Sequence, residues 1–187
     1  DTGLPVFHYD ISRYTFKDDK METLYDKKEM SLSRLFVLNN RIFVLANDMS
    51  RHGINENNDF YVLENKALTK VLEYGLSGGN SIGSDARLGG SQTAAVYNDS
   101  FYFVGTYKDR TRLYQFDGKE NKVVFDAIGS LDGWDVVDGT FYGIGLYNNE
   151  LQEVYTLDLS GNAVTKLTDF NKDVLDNKYT AVPETFE

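Results

Sequence analysis

The pattern that decides the fold is Asp59-Phe-Tyr-Val-Leu-Glu64, which returns as Arg112-Leu-Tyr-Gln-Phe-Asp117 and again as Glu153-Val-Tyr-Thr-Leu-Asp158. The central tyrosines of the three copies, Tyr61, Tyr114 and Tyr155, are 53 and 41 residues apart. A repeat of about 40 residues that holds several short strands is typical of a propeller blade. The repeat therefore predicts an all-β chain built of blades.

Each copy of the pattern stands between a more apolar run and a more polar one. The apolar runs begin at Arg41, Ser100 and Thr140, and the polar runs begin at Lys70, Lys122 and Val164. A strand covered on both faces is continuously apolar, whereas a strand further out alternates. Blades packed face to face around an axis should produce this order, so we expect four antiparallel strands per unit. A meander or sandwich of hairpins is the alternative.

Asn, Asp and Gly mark the predicted turns between strands. In the last unit we predict strands at Gly133–Val137, Thr140–Gly145, Glu153–Leu157 and Ala163–Thr168. The predicted turns of the three units include Asn39-Asn40, Asn98-Asp99, Lys108-Asp109, Asp117-Gly118, Asp138-Gly139, Asn148-Asn149 and Ser160-Gly161-Asn162. A longer loop is predicted at Asn47–Asn58.

These boundaries predict a partial β-propeller of about three and a half blades over residues 1–168. We assign a blade remnant to residues 1–30 and blades to about 31–75, 91–126 and 127–168. Residues 169–187 differ, because Phe170, Val174 and Leu175 have helical spacing. We expect this stretch to be a short helical linker that leads towards a further domain.

Composition excludes several classes of function. The 187 residues carry a formal charge of −10, which repels phosphate backbones and argues against nucleic-acid binding. No run of apolar residues is long enough to span a membrane, so we expect no membrane role. Cysteine is absent, which fits a reducing cytoplasm; a disulfide-free bacterial surface protein is the alternative. The chain opens at Asp1 without an initiator methionine, and we expect it to belong to a longer protein.

One motif has the spacing of a serine nucleophile. Gly79-Asn-Ser-Ile-Gly83 matches G-x-S-x-G, but that elbow needs a strand before Ser81 and a helix after it. The glycines on both sides favour a loop between two blades instead. The histidines are His8 and His52, and we interpret both as surface residues and not as members of a triad with Ser81. We predict no catalytic, cofactor-binding or metal-binding residue in this chain, and no cofactor.

Two acidic clusters fit solvated turns better than a metal site. They are Asp132, Asp135 and Asp138 around Gly133-Trp134, and Asp117 with Glu120. Neither has the spacing of a calcium loop, and Asp in a turn bonds its own backbone. In the glycine-rich segment 83–90, we interpret Asp85 and Arg87 as an ion pair between blades; a position facing a channel is the alternative.

The sequence resembles the propeller of the prolyl oligopeptidase family of serine peptidases, in particular the acylaminoacyl-peptidase and dipeptidyl-aminopeptidase-like branch. The resemblance rests on Asn80-Ser-Ile-Gly-Ser-Asp-Ala-Arg-Leu-Gly-Gly90, Phe101-Tyr-Phe-Val-Gly-Thr106 with Arg112-Leu-Tyr114, Val164-Thr-Lys-Leu-Thr-Asp-Phe-Asn171 and Pro183-Glu-Thr-Phe-Glu187. In that family the last two stretches join the final blade to an α/β-hydrolase domain.

The resemblance implies a non-catalytic propeller that gates the access of short peptides to a hydrolase domain outside this chain. It places all three catalytic residues in that domain, so none is assigned here. A free-standing propeller that binds a protein or a glycan is the alternative, and a glycan-cleaving propeller is a third. Unpaired strand edges and uncovered sheet faces associate readily, so we also expect this chain to form a homo-oligomer.

Overall fold

The computed structural model describes residues 9–75, 79, 92–181 and 184, and these form an almost entirely β structure. The strands are β1 (Ile11–Thr15), β2 (Lys20–Tyr25), β3 (Ser31–Leu38), β4 (Arg41–Asn47), β5 (Asp59–Glu64), β6 (Ala67–Leu72), β7 (Ala94–Tyr97), β8 (Ser100–Tyr107), β9 (Arg110–Phe116), β10 (Asn121–Phe125), β11 (Ser130–Val137), β12 (Thr140–Leu146), β13 (Glu153–Asp158) and β14 (Ala163–Lys166). A 3-10 turn (Gly53–Asn55) lies between β4 and β5, and one turn of α-helix, α1 (Lys172–Leu175), follows the last strand.

The strands form one hairpin and three four-stranded sheets in which each strand pairs with the next in sequence. The hairpin is β1–β2, the first blade is β3–β6, the second is β7–β10 and the third is β11–β14. Strands that pair in chain order and are joined by short turns are the arrangement of a propeller blade. This confirms the predicted fold class, a partial β-propeller with about three and a half blades and a short helical segment after them.

The turns explain why the strands pair in this order. At Asn39-Asn40 and Asn98-Asp99 both central residues have positive φ, and so do Asp138 and Gly139. This is the conformation of the two-residue hairpin turn whose twist matches the strands beside it. The predicted turns at these positions are therefore confirmed. A further turn of this kind, Asn65-Lys66, contains no glycine and is not among the predicted ones.

Two predicted strand boundaries are wrong for identifiable reasons. β11 begins at Ser130 and not at Gly133, because a bulge lets it continue pairing: Leu131 lies opposite Gly145, whereas Gly133 lies opposite Ile144. β14 ends at Lys166 and not at Thr168. There the Thr168 side-chain oxygen replaces a backbone acceptor and takes a hydrogen bond from the N–H of Val154 at 2.9 Å.

The chain divides into two compact units, and each has its own core. The first unit holds the hairpin and the first blade, and the second holds nearly all of the second and third blades. In the first unit, one core cluster contains Ile11, Tyr25, Met30, Val44, Ala46 and Tyr61. In the second unit, Tyr102, Val104, Leu113 and Phe125 of the second blade pack against Leu131, Trp134, Phe141, Tyr155 and Leu157 of the third. Within each unit, neighbouring sheets thus pack on one another through apolar and aromatic side chains.

Burial follows the predicted gradient of polarity. β4 and β8 are buried along most of their length, whereas β6 and β14 have no buried residue. β13 alternates between buried and half-buried positions, as a strand further from the centre should. In the second unit β11 is also joined to the segment before β7, because the N–H of Trp134 donates to the Gln92 carbonyl at 3.0 Å.

Candidate functional site: the loop ends and the exposed sheet faces

Each four-stranded blade has two different ends. Because successive strands are antiparallel, the turns after the first and third strands lie at one end. The connection between the second and third strands lies at the other, together with the chain that follows the fourth strand. We call this second end the loop end, since it carries the long connection Asn47–Asn58 in the first blade. Loops held on a rigid scaffold are where binding residues concentrate.

The loop end of the first blade is organised by Asp59, the first residue of β5. Its carboxylate is buried and accepts hydrogen bonds from Lys70 Nζ at 2.7 Å and from Arg51 Nη2 at 3.1 Å. It also accepts the backbone N–H of Tyr74 at 3.0 Å. Burial acts to raise the pKa of Asp59, but the hydrogen bonds and the two cations outweigh it and lower the pKa. Asp59 is therefore held ionised and fixes the chain after β6.

Glu56 holds the long loop of the first blade in the same way. The buried carboxylate accepts the backbone N–H groups of Arg51 at 2.8 Å and of His52 at 3.1 Å, and the Arg51 guanidinium at 3.0 Å. Burial acts to raise the pKa of Glu56, and these hydrogen bonds reverse the effect and lower it. Arg51 also contacts Glu73, so one guanidinium joins three carboxylates.

In the second blade, the residue that corresponds to Asp59 is the cation Arg112. Arg112 forms two hydrogen bonds of 2.9 Å with the carboxylate oxygens of Asp126, which follows β10. The guanidinium carbon also lies 3.7 Å from the centre of the Tyr107 ring. Hydrogen bonding to Asp126 raises the pKa of Arg112 further above its ordinary value. A bidentate and stacked arginine has a fixed geometry that lysine cannot reproduce.

In the third blade, the residue that corresponds to Asp59 and Arg112 is the carboxylate Glu153. Glu153 is buried and accepts hydrogen bonds from the Thr168 hydroxyl and from the backbone N–H groups of Phe170 and Asn171, at 2.5, 3.0 and 2.9 Å. The Asn171 side-chain amide adds a fourth at 3.0 Å. Burial opposes ionisation, but the hydrogen bonds lower the pKa of Glu153 to about 2. Glu153 fixes the start of the segment that contains α1.

Within the described residues, these charged side chains are held by ion pairs or, for Glu153, by neutral hydrogen-bond donors. General acid–base or nucleophilic chemistry needs a base within hydrogen-bond reach of the group that it activates. The His52 side chain is exposed, as predicted, and within the described residues it has no hydrogen bond to a serine or a carboxylate. Ser81, His8, Asp85 and Arg87 lie outside the described residues.

The structure separates the members of the first acidic cluster. Asp138 lies in a turn with positive φ, as predicted. For Asp132 the turn interpretation is wrong: it is buried at the β11 bulge, where it accepts hydrogen bonds from the Ser130 hydroxyl at 2.6 Å and the Gln152 amide at 2.5 Å. It is wrong for Asp135 as well, because Asp135 is an exposed residue within β11.

The second acidic cluster agrees with the prediction. One carboxylate oxygen of Asp117 accepts the backbone N–H groups of Lys119 and Glu120, both at 2.9 Å. In residues 9–75 and 92–181 no group of three or more histidines and acids is placed to hold a metal ion. No helix in the part of the chain that the structure describes is long and apolar enough to cross a membrane.

The third blade also presents a sheet face with a shallow cavity of about 280 Å³. The cavity is lined by Tyr142, Ile144 and Val154, with Gly133, Gly143, Trp134, Asp135 and Gln92 around them. Register places the three large side chains on one side of the sheet, because Ile144 lies opposite both Gly133 and Val154, and Tyr142 lies opposite Asp135. We call Tyr142, Ile144 and Val154, with Val137 and Leu167 at the edges, the open face.

Neither the charged contacts at the loop ends nor the open face was predicted from the sequence. Alignment of the repeats contains a signal for each. Asp59, Arg112 and Glu153 are corresponding residues of the three copies of the pattern. A charged residue at the same place beside the buried core in every copy indicates a pairing partner nearby. The partners lie 11 to 18 residues further along the chain, which is why no local motif reveals them.

Comparison with solved structures agrees with this geometry. The acylaminoacyl peptidase of Pyrococcus horikoshii matches 97% of this chain with a TM-score of 0.67 and 17% identity, over 26% of its own length. The β-propeller domain of the Trilobed protease from Pyrococcus furiosus matches 91% with a TM-score of 0.61 and 20% identity, over 49% of its own length. An acylaminoacyl peptidase in complex with Z-Gly-Gly-Phe-chloromethyl ketone matches 95% with a TM-score of 0.64 and 18% identity, over 25% of its own length.

These matches define the class of fold. The chain is a partial β-propeller of the kind found in these peptidases, so the resemblance is confirmed in its fold. It spans about a quarter of the length of the acylaminoacyl peptidases that it matches. No protein-family model and no curated protein sequence matches it.

Proposed function

We propose that this chain is the non-catalytic propeller portion of a serine-type peptidase similar to acylaminoacyl peptidases. The observation that carries the proposal is the match over 97% of this chain to only 26% of the Pyrococcus horikoshii acylaminoacyl peptidase. A match of that kind supports the interpretation that this chain is one part of a larger enzyme. Because a fold can host unrelated functions, the assignment needs a direct test.

In this proposal the chain acts as a rigid gate. It excludes folded proteins and admits short peptides to an α/β-hydrolase domain, the role that lids have in other enzymes. The paired charges support a rigid scaffold, because Asp59, Arg112 and Glu153 each tie the chain after a fourth strand to the start of a third. The partners are the hydrolase domain and, for the whole enzyme, short peptides. We propose a cytoplasmic location, which the absence of cysteine favours.

The test uses the complete reading frame that contains this chain. We expect the full protein to hydrolyse short acyl-peptides and to show a kcat/KM that falls steeply as the peptide lengthens. A matched form without the propeller, if it remains folded and active, should lose that dependence on length. If the full protein is an active peptidase but its kcat/KM does not change with peptide length, the proposed gating role is wrong. A full protein with no peptidase activity would overturn the enzyme assignment and favour a binding propeller.

A further inference from the structure

Three aspartates of this chain are followed directly by glycine, in the pairs Asp117-Gly118, Asp132-Gly133 and Asp138-Gly139. An aspartate in such a pair can rearrange its own backbone connection without an enzyme, because glycine has no side chain to hinder attack by its nitrogen. The structure places the three pairs in different surroundings. It therefore distinguishes one pair that is free to react from two that are held.

The rearrangement begins when the backbone nitrogen of the glycine attacks the side-chain carboxyl carbon of the aspartate. A C–N bond forms, the nitrogen gives up its proton, and one carboxyl oxygen leaves as water, so that a cyclic imide results. Water then adds to one of the imide carbonyl carbons and breaks its bond to the nitrogen. Addition at the side-chain carbon restores aspartate, whereas addition at the main-chain carbon gives isoaspartate. No oxidant, reductant or cofactor takes part, and the atomic composition is unchanged.

Asp132 is held inside the third blade. It is 4% exposed, and its two carboxylate oxygens accept hydrogen bonds from the Ser130 hydroxyl at 2.6 Å and from the Gln152 amide at 2.5 Å. Gly133 lies within β11 and opposite Ile144 of β12. The Gly133 nitrogen therefore reaches the carboxyl carbon only if β11 leaves the sheet.

Asp117 is exposed, but its carboxylate is held by the turn that it begins. One oxygen accepts the backbone N–H groups of Lys119 and Glu120, both at 2.9 Å, and the Asp117 N–H donates to the Glu120 carbonyl at 3.2 Å. Gly118 is buried, and a Cβ built on it would lie 3.2 Å from the Phe43 ring. This pair therefore reacts only after a hydrogen-bonded turn has opened.

Asp138 and Gly139 form the exposed two-residue turn between β11 and β12. Val137 is paired with Thr140, so the ladder ends beside the turn and the Gly139 N–H lies outside it. A Cβ built on Gly139 would come no closer than 4.0 Å to another side chain, that of Tyr97. Within the described residues, no hydrogen bond or ion pair holds the Asp138 carboxylate. Opening of this turn therefore breaks fewer contacts than opening at the other two pairs.

We propose that Asp138 is the aspartate of these three pairs that converts to isoaspartate in the folded protein. The positive φ values of Asp138 and Gly139, 49° and 79°, belong to the closed turn, so the reaction proceeds from brief local openings. Isoaspartate adds one carbon atom to the backbone of a turn whose length is matched to its strands, so the Val137–Thr140 pair should be lost. The inference goes beyond the proposed function, because it depends on the folded chain alone and not on peptide hydrolysis.

Incubation of the folded wild-type chain at neutral pH over weeks tests the proposal. Isoaspartate is measured with an isoaspartate-specific methyltransferase and labelled S-adenosylmethionine, followed by peptide mapping. Chymotrypsin cuts after Trp134 and thus separates Asp132 from Asp138. The label should appear at Asp138 about tenfold faster than at Asp117 or Asp132, since each of those must first lose two side-chain hydrogen bonds. Label that appears first at Asp117 or Asp132, or nowhere, would overturn the proposal.

Two matched variants separate the effect of the surroundings from the chemistry. Asp138→Asn and Asp117→Asn each place asparagine before glycine, where the same imide forms with loss of ammonia instead of water. The side-chain oxygen in Asp117→Asn still accepts both N–H groups of its turn. In urea the two variants should deamidate at similar rates, whereas in the folded chain Asp138→Asn should deamidate about tenfold faster. Equal rates in the folded chain would contradict the proposal.

Asp138→Glu is the negative control. It keeps the charge, but the longer side chain closes an imide ring far less readily, so the methyl label should disappear from the peptide that contains this position. Label that persists there would not arise from Asp138 and would also overturn the proposal. All variants should keep the far-ultraviolet circular dichroism spectrum of the wild type, so that a change in rate reports the local turn and not unfolding.

Discussion

Asp59 and Glu153 are corresponding residues of the first and third blades, and each is a buried carboxylate that binds the chain following the fourth strand of its blade. Asp59 accepts the N–H of Tyr74 at 3.0 Å, and Glu153 accepts the N–H of Asn171 at 2.9 Å. A carboxylate that accepts backbone N–H groups is favoured in its charged form. The two blades thus stabilise their outer strands by the same contact, although Asp59 adds two cations and Glu153 adds neutral donors.

Removal of the Asp59 charge should destabilise the first unit. In Asp59→Asn, the Lys70 and Arg51 cations lose a fully buried partner, and we expect a loss of about 2 kcal/mol in the free energy of unfolding. Urea denaturation followed by circular dichroism measures it. The control is Glu64→Gln, which breaks an exposed pair with Arg41 and should cost less than about 1 kcal/mol. Equal losses of unfolding free energy in the two variants would contradict the idea that burial of Asp59 makes its ion pairs more important than the exposed pair.

Glu153 should make the second unit sensitive to acid. Its folded pKa of about 2 lies below the ordinary value of 4.5, so its contribution to stability is fully present above that ordinary value. The contribution is lost as the pH falls towards about 2, because the unfolded chain then binds the proton more readily. The urea midpoint of the wild type should therefore fall across this window. Glu153→Gln should be less stable at neutral pH and show a flatter dependence; a slope unchanged by the substitution would contradict the assignment.

Gly145 should not tolerate a side chain. A Cβ at this position would meet the backbone carbonyl oxygen of Ser130, which cannot move without breaking the β11–β12 pairing. We expect Gly145→Ala to lower stability by about 1–3 kcal/mol, measured by thermal or urea unfolding. In Gly161→Ala the new Cβ would meet the side-chain carboxylate of Asp158 and not the backbone, so this control should lose less stability than Gly145→Ala. Similar losses in both variants would argue against backbone crowding.

Arg112 should not be replaceable by lysine. Arg112→Lys keeps the charge but loses the bidentate contact with Asp126 and the stacking on Tyr107. We expect a loss of about 1 kcal/mol in the free energy of unfolding. Arg110→Lys is the matched control, because Arg110 contacts the neighbouring Asp109 through one nitrogen. If both lysine variants lost the same free energy of unfolding, the bidentate contact and the stacking of Arg112 would not explain its effect.

Much of the fold is predictable from the sequence because its causes are local. The turns at Asn39-Asn40 and Asp138-Gly139 need residues that accept positive φ, and the sequence supplies them where the strands change direction. The bulge at Asp132 is not predictable in this way, since it depends on pairing between β11 and β12. The burial of Asp132 likewise comes from Ser130 and Gln152, of which the second is 20 residues away.

Periodicity and turn chemistry act between near neighbours, so the repeating unit, its four strands and the gradient of polarity within them follow from the amino-acid sequence alone. Tertiary structure decided which charged residues meet, as at Asp59 and Lys70, because such contacts join residues that are adjacent only after the blade has formed. It also decided that Tyr102 is buried while the corresponding Tyr142 is only partly so. Both tyrosines occupy the same place in the pattern, and only the packing of one sheet on another distinguishes them.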